Sequence, residues 1–274
     1  MLRNYWSKRF PLVLSALASF AVAGHVGATS KVILIGSDSW CPYECFDNGR
    51  PEGITIDILK HIFEPKGYRV DMVKVPWARA VEDLRTGTIT TFGSADTENA
   101  PDMIFASEPT TLQRNTIFKR TSDPWQYKNF ESLQEGSLGI IHKYTYGDKI
   151  DAHISKHPRL IEKTYGEIAL KNMILMLKEG RTRFFVDDRI AGAYRISQMG
   201  FSKAITPASP DVTSVPLYFG FSPQNPDAPM LAKTVSEELV RMRKDGTLNK
   251  IFARYGAEAP VIPVAHRNQN RSWQ

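Results

Sequence analysis

Aromatic rings, carboxylates and hydroxyls gather in a few short segments of this chain. Asp38, Trp40, Tyr43 and Glu44 share one loop with Cys41 and Cys45. Trp77 and Arg79 follow Pro76, and Ser94 and Asp96 follow an apolar run. Further along stand Tyr144 and Thr145, then Thr164-Tyr165, then Asp187-Asp188. Rings stack on a ligand, carboxylates pair with its cations and hydroxyls hydrogen-bond its polar atoms, so this mix suits a small polar ligand. Each residue also has a plain structural use. Trp40, Tyr43 and Trp77 suit a core or its rim, Asp38 and Asp188 suit helix N-caps, and Arg79 suits a solvated helix face. Lys143, Tyr144 and Thr145 precede a predicted helix, where backbone N–H groups hold anions, or they are ordinary loop residues.

Catalytic and metal signatures are poor. The chain has no G-x-S-x-G elbow and no phosphate-binding P-loop. His153 and His157 lie four apart, but no Glu follows the first and Pro158 ends the segment. Cys41 and Cys45 lack the second Cys or His pair that a zinc site needs. No metal and no cofactor is expected.

The elements that position these residues follow from periodicity. Val32 to Ile35 reads as a buried strand, and Ile54, Ile58, Leu59, Ile62 and Phe63 recur at helical spacing up to Pro65 and Gly67. Strands are predicted at 70–75 and 88–92, with a helix at 78–85 between them. The same alternation recurs with strands at 138–141, 160–163 and 183–186 and helices at 146–154, 168–178 and 189–199. Alternating β and α elements predict parallel sheets covered by helices, here in two halves. Two further strands, 115–119 and 215–221, join the halves. A long amphipathic helix through Leu231, Val235, Leu239 and Met242 and a short one through Leu248, Ile251 and Phe252 follow. In open α/β sheets ligands bind at the carboxyl ends of strands, which is where the segments above fall.

Composition narrows the function classes. Of 274 residues, 42% are apolar and 23% charged, which excludes disorder and coiled coil. Residues 1–28 carry Arg3, Lys8 and Arg9, then an apolar stretch from Pro11 to Gly24, then small residues before Thr29. That order predicts a secretory signal peptide and a periplasmic location. The segment holds three positive charges and no negative one, so its removal lowers the net charge from +6 to +3. A charge of +3 without a basic stripe argues against nucleic acid. In an oxidising compartment Cys41 and Cys45 are expected to form a local disulfide.

The runs Asp38-Ser39-Trp40-Cys41-Pro42-Tyr43, Gly53-Ile54-Thr55-Ile56-Asp57 and Pro76-Trp77-Ala78-Arg79-Ala80 resemble the bacterial extracellular solute-binding proteins of family 3. The resemblance continues through Phe105-Ala106-Ser107-Glu108-Pro109 to Asp245-Gly246-Thr247-Leu248, over about residues 30 to 256. It implies an α/β, two-lobed periplasmic-binding-protein fold (type 2), each lobe a sheet flanked by helices, joined by two crossover strands. By position it implies a signal peptide at 1–28, one lobe from 29–113 and 217–256, a second lobe at 114–216, and a polar tail at 257–274. It implies a non-enzymatic, monomeric protein that captures an amino acid or related compound and delivers it to an ABC permease. The implied ligand contacts are Asp38, Trp40, Tyr43, Trp77, Arg79, Ser94, Tyr144, Thr145 and Asp188. Asp188 takes the place of an α-ammonium partner. Residues 96–102 lack the arginine that clamps an α-carboxylate in amino-acid binders of this family. Two other roles sit on the same scaffold, a cyclohexadienyl-dehydratase-like enzyme and a periplasmic subunit of a signalling system.

Overall fold

The computed structural model describes residues 31–46, 49–98, 100–142, 144–166 and 168–262. The signal-peptide expectation, Lys143 and residues 263–274 of the tail therefore lie outside the described residues. The chain runs β1 (Val32–Ser37), α1 (Ile54–Phe63), β2 (Arg69–Lys74), α2 (Trp77–Thr86), β3 (Thr91–Ala95), β4 (Ile104–Phe105) and β5 (Thr111–Arg120). It continues with β6 (Leu138–Ile141), α3 (Asp148–Lys156), β7 (Ile161–Thr164), α4 (Ala169–Lys178), β8 (Phe184–Asp188) and α5 (Arg189–Gln198). It ends with β9 (Ile205–Pro207), β10 (Thr213–Phe221), α6 (Ala228–Lys244) and α7 (Thr247–Arg254).

Strand pairing follows the order β2-β1-β3-β10-β5-β8-β6-β7, with β4 beside β10 and β9 beside β5. β1 pairs in parallel with β2 and β3, and β6 in parallel with β7 and β8. The two halves meet on β10. Its first part, Thr213 to Leu217, pairs antiparallel with β5. Its second part, Tyr218 to Phe221, pairs with β3 and β4.

Apolar residues at helical and strand spacing bury against one another in both halves. Ile54, Ile58, Leu59, Ile62 and Phe63 of α1 share a cluster with Ile33 and Ile35 of β1 and with Leu231, Val235, Leu239 and Met242 of α6. On the other half, Met173, Ile174 and Leu177 of α4 pack with Phe118 and Phe185. Gly67 at φ +82° follows the turn after α1 and Gly87 at φ +80° closes α2, positions where a side chain would be strained.

Element boundaries depart from the sequence expectation for identifiable reasons. The third strand begins at Thr91 rather than Thr88. The Thr88 and Ile89 N–H groups donate to Asp83 O at the end of α2 and are not free for a ladder. The helix expected from Tyr146 begins at Asp148, because Tyr146 is held ahead of it, its N donating to the Asp151 carboxylate and its Oη accepting from Ile141 N at 2.7 Å. β4 and β9 have two and three residues, too few to show any periodicity.

Asn115 ties the crossover together. It is fully buried, and its Nδ2 donates to Tyr146 O at 3.0 Å and to Thr213 Oγ1 at 2.9 Å. Asn115→Ala removes both bonds and opens a small hole. An expected loss of about 1–3 kcal/mol in denaturant unfolding follows from the lost partners. Unchanged stability would show that the crossover does not depend on this side chain.

Candidate ligand-binding cleft

A cavity of about 310 Å³ lies between the two halves of the sheet. Ser39, Trp40 and Cys41 line it from the loop after β1, and Lys74 from the end of β2. Ile141, Tyr144, Gly166 and Asp187 line it from the ends of β6, β7 and β8. Ile168 to Lys171 at the start of α4 and Arg195 of α5 complete it. Strand carboxyl ends from both halves therefore converge, as the α/β rule requires.

The loop after β1 is shaped locally. Tyr43 N and Glu44 N both donate to Trp40 O, and Cys45 exchanges two backbone bonds with Glu52. Within that turn Cys41 and Cys45 are joined by a disulfide, as their spacing and the inferred export predicted. Trp40 stacks on Tyr43 with ring centroids 4.3 Å apart. Trp40 faces the cavity, whereas Tyr43 is fully buried beneath it in the core around α1.

The two adjacent aspartates at the end of β8 have opposite fates, because successive strand residues point to opposite faces. Asp188 is fully buried and fully engaged. Its Oδ1 accepts from Ile190 N and Ala191 N at 2.9 Å, capping α5, and from Tyr43 Oη at 3.4 Å. Its Oδ2 accepts from Arg114 N at 2.9 Å. Asp187 is 3% exposed and lines the cavity. Its Oδ1 accepts from Asp188 N at 2.7 Å, and its Oδ2 has no hydrogen-bond partner. Burial first, and the neighbouring Asp188 charge second, push the Asp187 carboxyl up to about 8. The Asp188 carboxyl is also raised by burial, against the pull of its backbone donors. The sequence reading chose Asp188 as the ligand carboxylate; the geometry gives Asp188 to the helix cap and brings Asp187 to the cavity.

Two more carboxyls, Asp38 and Glu44, lie after the end of β1, and neither is among the residues that line the cavity, although Asp38 was an expected ligand contact. Asp38 is raised by burial, with Lys74 opposing the rise. Glu44 is 3% exposed and is pushed up to about 7, chiefly by burial, while hydrogen bonds from Thr55 and Ser94 hold it down. The Tyr144 phenol, which lines the cavity, is raised by burial and then by the charges of Asp38 and Asp187.

The remaining expected contacts lie elsewhere. Ser94 is half-buried, and its hydroxyl is bound to Glu44 Oε1 at 3.0 Å. Trp77 is half-buried at the start of α2 and packs against Phe92, 5.2 Å between centroids. Arg79 is exposed and pairs with Asp83 at 2.7 Å on its own helix. Thr145 is exposed and does not line the cavity. Lys74, the α4 start and Arg195 were not anticipated, since only the packing of one half on the other brings them to the cavity. A larger cavity of about 670 Å³ lies between α5 and residues 254–258. Its Arg189 and Arg254 already pair with Asp211 and Asp57, so it offers a ligand less. Among the described residues no group of three His, Cys, Asp or Glu could hold a metal, and the His153 and His157 rings lie 4.7 Å apart. No described helix is long and apolar enough to cross a membrane.

Comparison with known proteins agrees with this architecture. Residues 32–258 match the family of bacterial extracellular solute-binding proteins, family 3. The chain belongs to that family. It is 21% identical to the probable amino-acid-binding protein YxeM of Bacillus subtilis (strain 168) over 266 residues, 93% of this chain and 97% of that one. An ancestral cationic amino acid solute-binding protein superposes with a TM-score of 0.66 at 21% identity, over 82% of this chain and 95% of that one. A histidine kinase sensor domain similar to periplasmic binding proteins superposes with the same TM-score, 0.66, at 20% identity, over 85% of this chain and 98% of that one. The fold is thus the two-lobed binding-protein fold.

The raised carboxyls tie stability to pH. Asp187 and Glu44 keep protons in the folded chain that the unfolded chain releases near pH 4. Stability therefore falls as pH rises from about 4 to about 8, by at most about 1.4 kcal/mol per pH unit for each group. The lowered carboxyls Asp102 and Asp123 act in the opposite sense, and only at acid pH. Melts of the unliganded protein are expected to give a lower midpoint near pH 8.5 than near pH 5, and Asp187→Asn should flatten the difference. A midpoint independent of pH over that range would contradict the placement of both groups.

Proposed function

We propose that this chain is an exported solute-binding protein that captures a small polar ligand between two lobes and hands it to an ABC permease. Residues 29–113 and 217–256 form one lobe, and 114–216 the other. β5 and β10 serve as the connection about which they move. Asp187 carries this reading, a buried carboxyl with one oxygen unpartnered in a cavity lined from both halves. A protonated nitrogen of the ligand pairs with it on closure. Trp40 supplies a ring wall. Membership of a solute-binding family and the amino-acid-binding relative support capture rather than catalysis.

Closure works as a differential affinity. A ligand shifts the lobes toward the closed state only to the extent that it binds that state better. Asp187 and Tyr144 line the cavity from one half of the sheet, and Ser39 and Trp40 from the other. A ligand touching all four completes its contacts only when the halves are together, and a permease then reads the closed form.

A thermal-shift screen of amino acids, polyamines and small organic acids identifies the ligand, since a ligand at 100 times its Kd adds about 2.7 kcal/mol. With a cationic hit, Asp187→Asn should weaken binding by tens-fold or more, because an unpaired buried cation costs about 2–5 kcal/mol. Its melting temperature should not fall. Asp188→Ala should instead lower stability by about 1–2 kcal/mol through loss of the α5 cap. Full affinity in a folded Asp187→Asn variant would remove Asp187 from the site.

A further inference from the structure

Beyond its one unmet charge, the cavity offers a ligand mostly apolar contact. Among the described residues that line it, Asp187 Oδ2 is the buried polar side-chain atom left without a hydrogen bond. Asp187 is 3% exposed, so a partner for that oxygen has to enter the cavity. Much of the remaining lining is apolar. Ile141 ends β6 and is buried, and Ile168 and Leu170 stand at the start of α4. The other half contributes the Trp40 ring, one face of which is covered by Tyr43.

Two lining side chains are open for their size. Ile168 is 59% exposed and Tyr144 42% exposed. A single exposed isoleucine on an open surface needs no explanation. Here Ile168 and Tyr144 border the same cavity as the unpartnered acid, and a ligand held at Asp187 is the body available to cover them. A polar ligand group set against Ile141, Ile168 and Leu170 would lose water and gain no side-chain hydrogen bond there. A ring would instead remove apolar surface from water on both partners and stack with the aromatic walls. Of the bases in the lining, Lys74 and Lys171 are exposed and Arg195 is half-buried. An ion pair between an exposed lysine and a ligand carboxylate is screened by solvent and adds little.

Resting on the capture reading above, we propose that the ligand is an arylalkyl ammonium compound, with its protonated nitrogen at Asp187 and its ring against Ile168, Tyr144 and Trp40. Ile168 sets the preference for a ring over a polar side group. The cavity of about 310 Å³ has room for one ring on a short chain. An amine and an amino acid carrying the same ring share this chemistry.

Isothermal titration of the purified protein with two matched pairs tests this. 2-Phenylethylamine and ethylamine differ by a ring, and so do phenylalanine and alanine. In at least one pair the ring-bearing compound should bind about tenfold or more tightly than its partner, and than glutamine and 1,4-diaminobutane. The pair that binds tells whether the source is an amine or an amino acid. Ile168→Ser should weaken the ring-bearing ligand by about threefold or more. The melting temperature should not change, because the side chain is already exposed. Ile168→Leu should retain the affinity. Glutamine or diaminobutane binding as tightly as both ring-bearing compounds overturns the proposal and leaves the capture reading standing. Unchanged affinity in Ile168→Ser overturns the placement of the ring. Ring-selective binding that survives in a folded Asp187→Asn variant overturns the Asp187 anchor on which both readings rest. No binding by these compounds or by the wider screen overturns both.

Discussion

A carboxyl held out of water with one oxygen unbonded is the constraint around which this molecule is arranged. Asp187 occupies that position at the end of β8. Its backbone is fixed by antiparallel pairing with β5, where Thr116 stands opposite Asp187 and Asn115 opposite Asp188. A one-residue slip of this register would exchange the two aspartates, putting the capping residue in the cavity and the free one under the helix. Asp188 prevents the slip by its own bonds. It holds Ile190 N, Ala191 N and Arg114 N at once, and so locks α5, β8 and β5 together.

From that anchor the rest of the cleft follows. Tyr43 reaches Asp188 from the disulfide-closed loop of the other half, and Ile190 of α5 packs into the cluster around α1. These contacts draw the halves together over Asp187. Four carboxyls, Asp38, Glu44, Asp187 and Asp188, are thereby raised by burial in one region. Burial of a charged carboxylate is unfavourable, so Asp187 and Glu44 hold their protons to higher pH than a solvated carboxyl does. On the proposed reading, a ligand cation and a proton compete for Asp187, and affinity for such a ligand rises with pH as stability of the unliganded chain falls.

Much of the framework was legible in the sequence. The recurrent β-α alternation, the joining strands and the amphipathic α6 each carry a periodicity that survives burial. The Cys41–Cys45 pair was legible from spacing and inferred export together. What was not legible depended on side-chain direction. Asp187 and Asp188 are the same residue type at adjacent positions, and only the strand register tells which one faces the cavity. Tyr43 looked like Trp40's equal in the loop, yet the tight turn at Trp40 O sends one ring outward and the other inward. Arg79 had the right charge, but α2 offers it Asp83 one turn later, and a local partner outcompetes a distant one. Nothing in the sequence reveals that Ser94 and Thr55 converge on Glu44, since they lie 50 and 11 residues away from it along the chain.

The central claim is that Asp187 is the unpaired acid of the cleft while Asp188 is structural. Site-resolved carboxyl NMR of the unliganded protein, with Asp187→Asn used to assign the resonance, measures this directly. A midpoint near 8 for Asp187 is the predicted result. A midpoint near the ordinary aspartate value of about 4 would mean a solvated or paired carboxylate, and would contradict the account.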